Sequence, residues 1–60
     1  SEPAAVLVRG QETVRTGEGP VLTWKVALGR ETAWYRVDGP HELIQYSDGY
    51  GVTWVRRATP

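Results

Sequence analysis

The chain has 60 residues, with seven Lys and Arg balanced by seven Asp and Glu and a single His, so its formal net charge at neutral pH is zero. That balance excludes a protein drawn to nucleic acid or anionic lipid by long-range attraction, since both need a basic excess. The absence of Cys excludes disulfide staples, and one His deprives a zinc-type site of its usual ligands.

A chain this short buries only about 60% of the surface it exposes when unfolded. Its core must come from aromatic and aliphatic packing, here three Trp and three Tyr with no Phe or Met, or from association with a second chain. The apolar run Ala4 to Val8 is far too short to span a bilayer, so no membrane contact is expected. The start Ser1-Glu2-Pro3-Ala4 has no initiator Met, which fits secretion, trimming or excision from a larger protein; secretion is preferred over a cytoplasmic origin.

In chain order, residues 1–4 read as a tail and Ala5 to Arg9 as a strand. Gly10-Gln11 turns the chain into Glu12 to Thr16, a short polar strand or extended loop whose one clear hydrophobe is Val14. Gly17-Glu18-Gly19-Pro20 is a strong breaker. Strands are then predicted over Val21 to Leu28, Glu31 to Val37, His41 or Glu42 to Tyr46, and Tyr50 to Arg57, before a tail at 58–60. Apolar residues recur at i and i+2 throughout, so no helix is predicted. The fold class that follows is all-β: a single domain, an antiparallel meander of five to six strands curled into a small barrel or sandwich, SH3-like or immunoglobulin-like.

Turn chemistry sets the expected register. A two-residue loop at Gly29-Arg30 places Leu28 opposite Glu31, Val26 opposite Ala33, Trp24 opposite Tyr35 and Leu22 opposite Val37. A three-residue loop at Ser47-Asp48-Gly49, with Gly49 left-handed, places Tyr46 opposite Tyr50 and Ile44 opposite Val52. The interior predicted from these pairs is Val6, Val8, Leu22, Trp24, Val26, Ala33, Tyr35, Val37, Ile44, Tyr46, Val52 and Trp54.

No constellation for catalysis emerges, and neither a cofactor nor enzymatic activity is expected. Ser47 and Asp48 are favoured turn residues, and His41 follows Gly39-Pro40 as a solvated loop side chain, so a hydrolytic triad is not supported. Asp38, Glu42 and Asp48 lie near turns at alternate ends of the meander and have no calcium-loop spacing. Gly17-Glu18-Gly19-Pro20 enters a strand and not a helix, so it makes no phosphate cradle and reads as a hinge or hairpin loop.

The outward face of the predicted meander is more informative. Because Tyr35 is placed inward against Trp24, Trp34 is driven outward beside Lys25 and Arg36, with Leu43 and Val55 further across. An exposed aromatic and aliphatic patch rimmed by charge is the pattern of a binding surface. A protein partner or self-association is therefore expected at Trp34, Lys25, Arg36, Leu43 and Val55, with nucleic acid as the alternative ligand of the Trp34, Lys25 and Arg36 face. Arg56-Arg57 reads as a solvated strand end.

From Thr23 to Gly51, through Thr23, Lys25, Val26, Thr32, Tyr35, Val37, Pro40, Asp48, Gly49 and Tyr50 and also in its Ser1-Glu2-Pro3-Ala4 start, the chain resembles the tendamistat-type α-amylase inhibitors of actinomycetes. The resemblance implies a six-stranded immunoglobulin-like β-protein and an inhibitory contact at Arg15. Only the Arg of that family's Trp-Arg-Tyr turn is present, in Val14-Arg15-Thr16, and its two disulfides are missing. Over Ala33 to Val55 the chain is also similar to the small archaeal chromatin proteins with an SH3-like barrel, which implies a DNA-contacting face at Trp34, Arg36 and Thr53. Those proteins are strongly basic and this chain is neutral.

Overall fold

The six segments expected from alternation become five strands in the computed structural model, which describes residues 6–56, because the first two run together as one strand. They are β1 (Val6–Thr16), β2 (Gly19–Leu28), β3 (Glu31–Arg36), β4 (Leu43–Ser47) and β5 (Thr53–Val55). All neighbours are antiparallel and the order is β1-β2-β3-β4-β5, so the molecule is an all-β meander in one sheet. The sheet curls enough to bring β1 towards β4 but does not close into a barrel. Ala5, Arg57 and the expected tails 1–4 and 58–60 lie outside the described residues.

The register across Gly29-Arg30 is the one the two-residue loop requires, with Leu28 on Glu31, Val26 on Ala33 and Trp24 on Tyr35. The Val37 amide donates to the Leu22 carbonyl at 3.1 Å, which extends the same pairing by one step. Two other expectations are corrected. Gly10-Gln11 is not a turn: β1 runs straight through it with a bulge between Val8 and Gly10, where Gly10 takes φ +110°, a conformation that side-chain-bearing residues rarely adopt. The hairpin tip is Gly17-Glu18, inside the stretch expected to be a hinge or hairpin loop, and is held by the Thr16 hydroxyl, which donates to the Gly19 carbonyl at 2.9 Å and accepts from the Glu18 amide at 3.0 Å.

The β4 to β5 connection is also longer than a three-residue hairpin. Tyr46 pairs with Trp54 and Gln45 with Val55, where the shorter loop would have set Tyr46 against Tyr50 and Ile44 against Val52. The Asp48 carboxylate is the reason, because it accepts from the amides of Tyr50 at 2.7 Å and Val52 at 3.1 Å and so builds a wider turn. Gly49 is left-handed there, with φ +82°, and a Cβ at that position would run into the Arg30 carbonyl.

Which face is buried is the largest departure from the sequence reading. The inner face carries Val14, Val21, Thr23, Trp34 and Ile44, all buried, with Val55 packed against them. Of the twelve residues expected inside, only Ile44 is buried; Val26, Ala33, Val37 and Tyr46 are half-buried, and Val6, Val8, Leu22, Trp24, Tyr35, Val52 and Trp54 are exposed. Opposite-facing neighbours remain opposite, so Trp34 and Tyr35 do lie on different faces. The inversion follows from β1 pairing along β2 instead of folding over the Trp24 face, and a bulge between Trp34 and Tyr35 adjusts β4 to it: Trp34 pairs with Gln45 and Tyr35 with Leu43, which leaves Ile44 as an extra residue in β4. That extra residue brings Ile44 to the Trp34 side and Leu43 to the Tyr35 side.

Truncation of Trp34 or Ile44 to Ala should cost about 3–5 and 2–5 kcal/mol respectively, because each leaves a cavity in the buried cluster. A domain of this length has roughly 3–9 kcal/mol in total, so Trp34→Ala should be largely unfolded at room temperature. Trp24→Ala, at a position already 37% exposed, should cost no more than about 1–2 kcal/mol. Urea unfolding of dilute samples checks this order, and a larger loss for Trp24→Ala than for Trp34→Ala would contradict it.

Candidate contact surface

Of the residues predicted to form an outward binding patch, the sheet brings Trp34, Lys25, Arg36 and Val55 to one face, but that face is its inner one. Trp34 is 8% exposed and its indole Nε1–H donates to the Glu12 carboxylate, which reaches across β2 from β1. Thr23, fully buried, lies in the strand between them and donates its hydroxyl to the Glu12 backbone carbonyl at 2.6 Å. Lys25 pairs with Trp34 and places Nζ 5.8 Å from the ring centroid, so it covers the indole instead of flanking an open site. Val55 packs on the same cluster.

Arg36 is likewise engaged within the chain. Its guanidinium Nε lies 3.1 Å from Glu42 and its Nη2 lies 3.7 Å from Glu18, which ties the β1–β2 tip to the β3–β4 connection. Arg56 completes the cluster at 3.0 Å from Glu42. Each of these partly exposed pairs contributes about 1 kcal/mol or less. Of the remaining expected contacts, Leu43 lies on the opposite face against Tyr35, and Arg15 is exposed on β1 opposite Pro20. An outward Trp34 patch is thus corrected: the aromatic that the alternation drives outward is Trp24, with Tyr35 beside it.

The surface that the sheet leaves uncovered is the outer face. Its centre is the cross-strand pair Trp24 and Tyr35, each 37% exposed, bordered by Leu22, Val26 and Leu28 on β2, Val6 and Val8 on β1, and the pair Tyr46 and Trp54 towards the far edge. Two hollows flank Tyr35. One of about 310 Å³ is lined by Val6, Val26, Leu28, Ala33, Leu43 and Tyr46 together with Glu31 and Tyr35 itself. The other, about 440 Å³, lies between Val8, Trp24, Tyr35 and His41. The result is contiguous apolar relief on the outer face, open to solvent.

Chemistry beyond apolar contact is sparse. The His41 Nδ1 is 2.9 Å from the Arg36 carbonyl, while Ser47 and Asp48 are held in the turn at the other end of β4, where the Ser47 hydroxyl accepts from the Gly49 amide at 3.3 Å. Among the described residues no three His, Asp or Glu side chains gather into a group able to hold a metal. No helix of the described residues is long and apolar enough to cross a membrane. No protein-family model matches the chain, and no curated protein or solved structure is significantly similar to it.

One ionisable group on the outer face is displaced. The Tyr46 hydroxyl donates to the Glu31 carboxylate, which raises the phenol above its ordinary value near 10, with smaller contributions in the same direction from burial and from the charges of Glu31 and Asp48. A pKa raised by folding means that the stabilisation is complete below the unfolded value and is lost as pH rises through the folded one. Ultraviolet difference titration against Tyr46→Phe should therefore place the Tyr46 transition above that of a free tyrosine, and Glu31→Gln should bring it down. An unchanged Tyr46 transition in Glu31→Gln would remove this contact from the account.

Proposed function

We propose that this chain is a non-catalytic interaction domain that binds protein through the outer face of its sheet. A single observation carries the reading: the face holding Trp24, Tyr35, Leu22, Val26 and Trp54 is the more apolar of the two, yet it is the one left open to solvent. Trp and Tyr are enriched among residues that dominate binding energy, and a rigid sheet holds them in place at little entropic cost. An enzyme-inhibitor role belongs to the same class, and Arg15, exposed on β1, would be the contact that the amylase-inhibitor resemblance implies.

Nucleic-acid binding is less well supported. Its expected residues are engaged within the chain, with Trp34 buried, Lys25 over its ring and Arg36 paired with Glu42 and Glu18, and the chain's net charge is zero. Phosphate neutralisation needs free cations, and affinity built on it falls steeply with salt.

Two titrations test the reading on the wild-type chain. A dye that fluoresces on apolar protein surface, bis-ANS, should bind at low micromolar protein, and Tyr35→Ser should reduce its signal about threefold or more while leaving the spectrum of a folded sheet. Duplex and single-stranded oligonucleotides at low ionic strength should bind no tighter than roughly 100 µM. Sub-micromolar oligonucleotide affinity that falls with salt would overturn the proposal in favour of the nucleic-acid alternative.

A further inference from the structure

We infer that the occupant of the outer face is a second copy of this chain, packed face to face about a two-fold axis to give a two-sheet sandwich. The inference rests on the reading of that face as a contact surface and adds the identity of the partner. Three observations carry it.

The first is area. A folded monomer of 6.7 kDa exposes about 3,900 Å² by the usual scaling of surface with mass, whereas this chain exposes 4520 Å². The chain therefore carries more surface than a compact fold of its mass, as an uncovered sheet face gives. The chain's extents of 42, 24 and 16 Å make it a slab that is broad in two directions and thin in the third, so one sheet face is wide relative to the molecule.

The second is shape. Tyr35 lines both hollows of the outer face and is therefore the ridge between them. A two-fold axis near Trp24 and Tyr35 lets the ridge of each copy enter a hollow of the other, the self-complementarity that an isologous contact requires. Sheets packed this way stand about 10 Å apart with interdigitated inner side chains.

The third is charge. The outer face carries Arg15 at the end of β2 marked by Pro20 and Glu31 at the end marked by Leu28. A two-fold pairing with antiparallel strand directions sets Arg15 of each copy by Glu31 of the other. A parallel stacking would set like charges together, and the zero net charge of the chain opposes neither.

Sedimentation equilibrium of the wild-type chain over roughly 1–200 µM tests the pairing in the concentration range of modest interfaces. The mass should rise with concentration to twice 6.7 kDa. Tyr35→Glu should raise the dissociation constant at least about tenfold, with far-ultraviolet circular dichroism reporting that the sheet remains. Arg15→Glu and Glu31→Arg should each weaken association by about threefold to tenfold, and the double exchange should restore it to within about twofold. These charge variants keep the test decisive if Tyr35→Glu does not fold. A folded chain that stays monomeric throughout, or a dimer indifferent to Tyr35→Glu, overturns the inference, as does a double exchange that fails to rescue. A folded monomer that still binds bis-ANS overturns the self-pairing alone, with a different protein as the occupant. Tight oligonucleotide binding overturns the contact reading beneath it.

Discussion

The indole of Trp34, closed in by Val14, Val21, Ile44 and Val55 and tied at Nε1 to Glu12, is the interaction on which the single sheet depends. A lone sheet has no second layer to bury its side chains, so it must curl and use one large residue as filler. Thr23 makes that possible: it is small enough to be fully buried where β1, β2 and β3 meet, and its hydroxyl is satisfied by the Glu12 carbonyl. A larger side chain there would hold the strands apart. The bulge at Gly10 allows the long β1 to bend with the curl, and the ion pairs of Arg36 with Glu18 and Glu42 fasten the tip of the β1–β2 hairpin to the far side of the sheet.

That solution leaves a surplus. The inner face holds a core of four buried hydrophobes and one buried Thr, while the outer face retains Trp24, Tyr35, Leu22 and Trp54 in partial contact with water. The two faces differ in how they meet solvent. The inner one satisfies its polar atoms within the chain, as the Trp34 to Glu12 and Thr23 to Glu12 bonds show, whereas the outer one presents broad apolar relief with its charges at the ends. Burial of an aromatic in a protein contact brings gains comparable to burial in a core. The outer face therefore leaves several of the chain's largest apolar side chains only partly covered by the chain itself.

Much of the architecture was legible in the sequence because turn residues and period-two alternation are local signals. Gly29-Arg30 specified the β2–β3 register, and Gly49 the left-handed position in the last turn. The assignment of faces was not legible, since alternation states which residues share a face but not which face turns inward. Choosing the more apolar face assumed that the N-terminal hairpin would fold over it. The continuity of β1 through Gly10 instead extends the sheet in its own plane, and the extra residue Ile44 in β4 shifts Leu43 and Ile44 between faces. A bulge of this kind has no strong local signature. The candidate surface was missed for the same reason, although one signal was present: the apolar residues assigned to the interior outnumbered what a sheet of this size can cover with its own chain.

The assignment of the two faces is tested most directly by hydrogen exchange of the three indole N–H groups, followed by NMR on dilute protein. Trp34, hydrogen-bonded to Glu12 inside the curl, should exchange far more slowly than Trp24 and Trp54, at rates that track opening of the sheet. Fast exchange at Trp34 together with protection at Trp24 in the dilute monomer would show that the sheet closes on its other face, and would contradict the account.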